Sequence, residues 1–183
     1  MSDRDRDRDR SRNNDVEVRE EALLCDVMCG SLVTYLRMCG YDAAYALDRG
    51  IEADDRLLAV ARGEGRTLLT RDRQLAARAR ASSAGSERDD EPGAGADGLL
   101  LESRAITGQL RELRAAGYDL ALADRPARCG RCNGPVETVS ENEETPEYAP
   151  SADIEAVWRC VECDQHFWRG SHWDSVERTL ANL

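Results

Sequence analysis

The sequence predicts an α/β domain built on a mainly parallel sheet, followed by a small appendage pinned by cysteines. Three observations carry that expectation. Short apolar runs alternate with segments whose apolar residues recur every three or four positions. The runs end in charged residues, as buried strands do on reaching the rim of a sheet. Two Cys-x-x-Cys pairs stand beyond the last helical stripe. Alternation of this kind implies right-handed β-α-β crossovers, which make the strands parallel.

The chain has 183 residues, 41% of them hydrophobic, enough for one ordinary domain and an appendage. No apolar run reaches the roughly 18 residues of a membrane span, and the N-terminus has no secretory apolar region. A cytoplasmic protein without a membrane partner is expected. Net charge is −11, which argues at first against nucleic acid, but the acidity is local. Residues 1–21 carry −2, residues 81–98 carry −4 and residues 136–156 carry −7, leaving 16 acids against 18 arginines elsewhere. That mildly basic remainder permits RNA binding. All 25 basic residues are Arg, a lysine-free acidic composition that fits a halophilic, high-salt cytoplasm. Seven cysteines without a secretory leader favour metal ligands and thiols over disulfides.

Residues 1–15, with Asp-Arg repeated four times, have nothing to bury and read as a disordered tail. Ala22 to Cys25 is the first strand, ending at Asp26. A helix follows with Met28, Leu32, Leu36 and Cys39 on one stripe, and Gly40 stops it. Tyr41 to Leu47 fits a second strand. Asp54 then stands where an N-cap belongs, ahead of Leu57, Leu58 and Ala61. Gly63 and Gly65 close that helix, and Thr67 to Thr70 is the third strand. Arg73 to Arg80 reads as a short helix. Residues 81–98 form a flexible acidic insertion. Leu99 to Leu101 restarts the sheet, Ile106, Leu110 and Leu113 mark another helix closed by Gly117, and Leu120 to Leu122 is expected as an edge strand. The first domain spans 16–125 and the appendage 126–183.

Cys129-Gly130-Arg131-Cys132 and Cys160-Val161-Glu162-Cys163 are separated by 27 residues. Four thiolates suit a tetrahedral Zn²⁺ and leave no open position for catalysis, so a structural zinc ribbon is expected. Asp26, Asp54 and Asp72 each have an ordinary reading, as turn residue, N-cap and loop residue. Parallel topology nevertheless sets all three at the carboxyl rim of the sheet, where carboxylates together call for a divalent cation. Oxygen ligands suit Mg²⁺ or Mn²⁺, and a metal-activated water there hydrolyses phosphodiesters. Asp48, Glu52, Asp55 and Glu102 are reserve carboxylates. Arg37, Arg71 and Arg73 could hold phosphates bidentately, although Arg37 has an equal case for snorkelling off its helix. In the aromatic run from Phe167 to Trp173, docking of the ribbon competes with stacking of Trp168 and Arg169 on unpaired bases while His172 contacts phosphate or sugar. Cys25, Cys29 and Cys39 read as core, with a thiol-based role for Cys25 and Cys29 as a rival.

The ordered set of motifs resembles the Mut-seven C-terminal RNase domain family, a PIN-like nuclease domain fused to a zinc ribbon. It begins with Asp26, Gly30-Ser31-Leu32 and Tyr35-Leu36-Arg37-Met38-Cys39-Gly40-Tyr41-Asp42. It continues with Asp54-Asp55-Arg56-Leu57-Leu58, Leu68-Leu69-Thr70-Arg71-Asp72-Arg73 and Gln109-Leu110, and ends with the two cysteine blocks and Phe167 to Trp173. The resemblance covers roughly residues 22–180. It implies a PIN-like three-layer α/β/α sandwich with a C-terminal zinc ribbon, and a metal-dependent ribonuclease with Asp26, Asp54 and Asp72 as its metal-binding acids. Val27, Ser31 and Thr34 depart from the family pattern. The alternative is a non-catalytic RNA- or ribosome-binding module, with a ribonucleoprotein as partner.

Overall fold

A computed structural model describes residues 19–83 and 98–183. The expected tail at 1–15 and most of the expected insertion at 81–98 lie outside the described residues. Four parallel strands form one sheet in the order β2-β1-β3-β4: β1 (Ala22–Cys25), β2 (Asp42–Tyr45), β3 (Thr67–Thr70) and β4 (Gly98–Leu100). Helices α1 (Gly30–Met38), α2 (Asp54–Gly63), α3 (Arg73–Ser83) and α4 (Ile106–Ala115) cover it. The expected α/β class with a mainly parallel sheet holds.

The period of two along each strand divides the core into two faces. Leu23, Cys25, Ala43 and Leu69 pack with Leu32 and Leu36 of α1 and Leu110 and Leu113 of α4. Leu24, Ala44 and Leu68 point the other way, onto Leu57, Leu58 and Ala61 of α2 and Leu75 and Ala79 of α3. A β-carbon on Gly98 would lie 2.6 Å from that of Ala79 and 2.9 Å from the Ala76 carbonyl oxygen. Glycine at the head of β4 is therefore what lets α3 lie close against the sheet. Gly40 takes φ +88° just past α1, the left-handed stop expected of it.

The cysteine-rich unit is a three-stranded antiparallel sheet of β5 (Val136–Thr138), β6 (Trp158–Cys160) and β7 (His166–Phe167). Its own apolar cluster is only Val139, Ala152 and Val157. Helix α5 (Ser171–Ala181), which follows the ribbon and is not among the elements expected from the sequence, packs on the first core, as the docking reading of the aromatic run expects of Trp173. Its stripe of Trp173, Val176 and Leu180 is buried there, and Arg114 of α4 donates to the Leu180 carbonyl at 3.0 Å. Trp173 also stacks on Trp158 of β6, the ring centroids 6.5 Å apart and 22° from parallel.

Three local expectations are corrected. Leu120 to Leu122 is irregular, with Leu120 buried as a core plug and no strand ladder formed. Met28 sits in a 3₁₀ turn (Val27–Cys29) ahead of α1 and is 49% exposed, because this turn rotates it off the helical stripe. Ala53 is the N-cap of α2 and Asp54 its first residue, with no side-chain cap bond. Ala53 already has the extended backbone of a cap, and Asp54 gains from the helix dipole one position later. No helix of the described residues is long and apolar enough to cross a membrane.

Candidate active site and cysteine cluster

Asp26 is the first residue past β1, and its N–H donates to the Leu69 carbonyl at 3.0 Å, carrying the pairing with β3 one step further. The carboxylate is only 5% exposed, and its Oδ2 accepts from the Thr70 hydroxyl at 2.7 Å. Thr70 Oγ1 in turn accepts from the Asp72 N–H at 3.0 Å. Asp72 Oδ1 accepts from Gln74 N at 2.7 Å and Leu75 N at 2.9 Å, so Asp72 caps α3. A single hydroxyl thus links the ends of two adjacent strands. In the sequence Thr70 is only the last residue of the third strand; its place between a strand end and a helix cap is the signal that marks it.

Asp54 begins α2 at the same carboxyl rim, and its Oδ2 lies 3.5 Å from Arg78 Nη1 of α3. Asp55 pairs with the same guanidinium through a shorter contact. The rim therefore carries Asp26, Asp54 and Asp72, each engaged with a different partner. Among the described residues these aspartates do not form a cluster as tight as that of the cysteines described below. Asp26 has no ion-pair partner among the described residues. Arg71 stands between Thr70 and Asp72, with a buried Nε that has no hydrogen-bond partner among them. Arg73 Nη2 lies 2.5 Å from Glu102 Oε1, both side chains open to solvent.

Arg37 is placed differently from the phosphate-binding expectation. It is 3% exposed, and its Nε donates to the Ala43 carbonyl at 2.9 Å. Nη1 donates to the carbonyls of Gly130 at 3.1 Å and Arg131 at 2.8 Å, and Nη2 faces Asp48 Oδ2 at 3.3 Å. Its donors are met by the protein itself, and we assign it to docking.

In the second unit, the four sulfurs of Cys129, Cys132, Cys160 and Cys163 lie within 4.8 Å of one another. Cys129 and Cys163 are 3.6 Å apart, and Cys132 and Cys160 3.4 Å. A tetrahedron with metal–sulfur bonds of about 2.3 Å has edges only slightly longer. Backbone N–H groups of Cys132 and Gly134 point at Cys129 Sγ and Cys132 Sγ, both at 3.4 Å. Asn133 (φ +71°) and Asp164 (φ +60°), each directly after the second cysteine of a pair, make the same left-handed turn. Burial pushes the Cys129 and Cys132 thiols up. Cys163 is also desolvated, yet the Gln165 N–H and the neighbouring sulfurs bring it below its ordinary value. The donor set fits a closed thiolate site.

Trp168 is half-buried, its ring centroid 6.4 Å from that of Tyr148. Arg169 lies over the Trp173 ring, 5.5 Å from its centroid, and also bonds the Asp124 carbonyl. His172 is exposed at the start of α5. Cys25 and Cys29 are buried; burial raises both thiols, Cys29 to about 12 with help from the Asp26 charge. Thiols held protonated in this way are poor nucleophiles, which weighs against the thiol-based rival.

A family model for the Mut7-C RNAse domain matches residues 21–180. Comparisons with curated proteins and with solved structures found no match.

Proposed function

Because the chain belongs to the Mut7-C RNAse domain family, we propose that it is a metal-dependent ribonuclease that hydrolyses RNA phosphodiester bonds at the carboxyl rim of the parallel sheet. The observation that carries this reading is Asp26, a buried carboxylate that forms no ion pair among the described residues, joined through Thr70 to the Asp72 turn. A buried carboxylate with no cationic partner is costly, and a hard divalent cation offsets that cost.

Asp26 and Asp72 are the acids that would hold Mg²⁺ or Mn²⁺, with Asp54 as a third from the start of α2. Such an ion supplies Lewis acidity toward the phosphoryl oxygen and lowers the pKa of water for in-line attack. Thr70 keeps Asp26 aimed by donating to one of its oxygens. Arg71, whose buried Nε has no partner among the described residues, and Arg73 at the head of α3 suit the phosphates on either side of the scissile bond. Trp168, Arg169 and His172 offer a base-stacking and phosphate-contacting edge on the ribbon. The four cysteines hold Zn²⁺ as a structural ion.

The test is cleavage of an unstructured RNA with Mn²⁺ at high and low salt, wild type beside Asp26→Asn. Expected is Mn²⁺-dependent cleavage that falls by about a hundredfold or more in the variant at unchanged fold. RNA binding without cleavage in any divalent metal would point instead to a non-catalytic RNA- or ribosome-binding module.

A further inference from the structure

We propose that the Cys129–Cys132 knuckle is the latch that docks the ribbon on the sheet, so that zinc occupancy and closure of the interface are one coupled equilibrium. The inference rests on the zinc reading above. Strand β2 is an outer strand, and a bare edge presents N–H and C=O groups with no ladder partner. At Ala43 side chains take both outward groups. Its N–H donates to Asn133 Oδ1 at 3.1 Å, and its carbonyl accepts from Arg37 Nε at 2.9 Å. Asn133 Nδ2 also donates to Asp42 Oδ1 at 2.6 Å. Arg37 then reaches into the knuckle, to the carbonyls of Gly130 and Arg131. One buried guanidinium is thus satisfied by carbonyls from both units.

Every ribbon group in this latch lies inside, or one residue beyond, a Cys-x-x-Cys turn. Asn133 holds its left-handed backbone because the turn imposes it, with Asn133 N donating to the Cys129 carbonyl at 2.9 Å and Cys129 N to the Gly134 carbonyl at 2.8 Å. An ion gripping Cys129 and Cys132 holds that turn closed. Without it the turn relaxes, and Asn133 and the two carbonyls leave their places on β2. Arg37 would then stay buried without the acceptors it needs, so the interface opens. The same guanidinium faces Asp48 just past β2, so the change reaches the rim that carries Asp26. By linkage, the factor by which zinc favours docking is the factor by which docking favours zinc.

The experiment uses the full chain, zinc-loaded and chelator-stripped, in wild-type, Arg37→Met and Asn133→Gly forms. Hydrogen exchange at the Ala43 amide and zinc affinity by chelator competition are both measured. Glycine keeps the positive φ at 133 and removes only the side chain, so this variant decides the matter if Arg37→Met fails to fold. Expected on stripping zinc is exchange at Ala43 about tenfold faster, with the Leu24 and Leu68 amides unmoved. Zinc affinity in Asn133→Gly falls by a comparable factor. Zinc uptake that leaves Ala43 exchange unmoved overturns the coupling alone, as does Asn133→Gly binding zinc as tightly as wild type. A chain that takes up no zinc overturns the metal reading and the coupling together.

Discussion

The two acid-and-thiol centres of this molecule are built on opposite plans. The four cysteine sulfurs are already collected within 4.8 Å of one another, two at a time, by turns only four residues long. The rim aspartates come from three β-α junctions, and each is engaged elsewhere: Asp26 with Thr70, Asp72 with the head of α3, Asp54 with Arg78. A centre assembled by local turns comes pre-aimed at its ion. A centre assembled by topology is held open by the bonds that keep its parts rigid. On the proposed reading, the first suits an ion that stays, the second one that exchanges with substrate and water.

The largest effect that could break this contrast is at the thiolates. On the proposed zinc reading, Cys160→Ser removes one ligand of four, and a structural zinc in a unit this small contributes about 10 kcal/mol or more to its folding. Metal analysis is expected to find almost no bound zinc, and near-ultraviolet dichroism to lose the Trp158–Trp173 signal. A variant that loses the zinc yet keeps the Trp158–Trp173 signal would show that the small apolar cluster of Val139, Ala152 and Val157 suffices alone.

Next in size is the Asp72 pair. Asparagine caps a helix about as well as aspartate, so Asp72→Asn keeps the melting temperature while removing the charge. Mn²⁺-dependent cleavage is expected to drop by about a hundredfold. Asp72→Ala drops it equally and also costs about 1 kcal/mol of stability in thermal melts. Equal activity in Asp72→Asn and wild type would reduce Asp72 to a cap.

The smallest effect separates the centres by pH. Burial pushes the Asp42 carboxyl up, but hydrogen bonds from Arg66 and Asn133 and the nearby guanidinium charges bring it below its ordinary value. A group whose folded pKa is depressed stabilises above its unfolded pKa, and that contribution disappears as pH falls through the folded value. The part of ribbon docking that depends on Asp42, read as the difference in Trp158 fluorescence between wild type and Asp42→Asn, is thus expected to hold down to about pH 4 and to weaken below it. Any loss common to both chains reports protons competing for the thiolates. Weakening already near pH 6 would assign the control to another group.

The parts legible in the sequence are those whose cause is short-range. Alternation in Leu23-Leu24-Cys25 and Leu68-Leu69 marked strands with two buried faces, and the cores divide along that alternation. The cysteine spacing announced its cluster outright. What escaped depends on partners far along the chain. Arg37 looked like a surface cation because its acceptors, Gly130 and Arg131, lie more than ninety residues away. Thr70 hid in an apolar run, and the strand expected at Leu120 to Leu122 failed because its side chains plug the core. Docking through Trp173 was legible in the aromatic run, but the helix that carries it on to Val176 and Leu180 was not, since an amphipathic stripe says that a face is buried and not against what.

That last helix orders events during synthesis. The side of the sheet under α1 and α4 is missing Trp173, Val176 and Leu180 until the ribosome has translated the whole ribbon. The opposite side, closed by α2 and α3, needs nothing beyond Ala79 among its main apolar residues. A nascent chain therefore completes one half of its interior early and leaves the other open to solvent, exposed to chaperones, for the time taken to make about a hundred further residues.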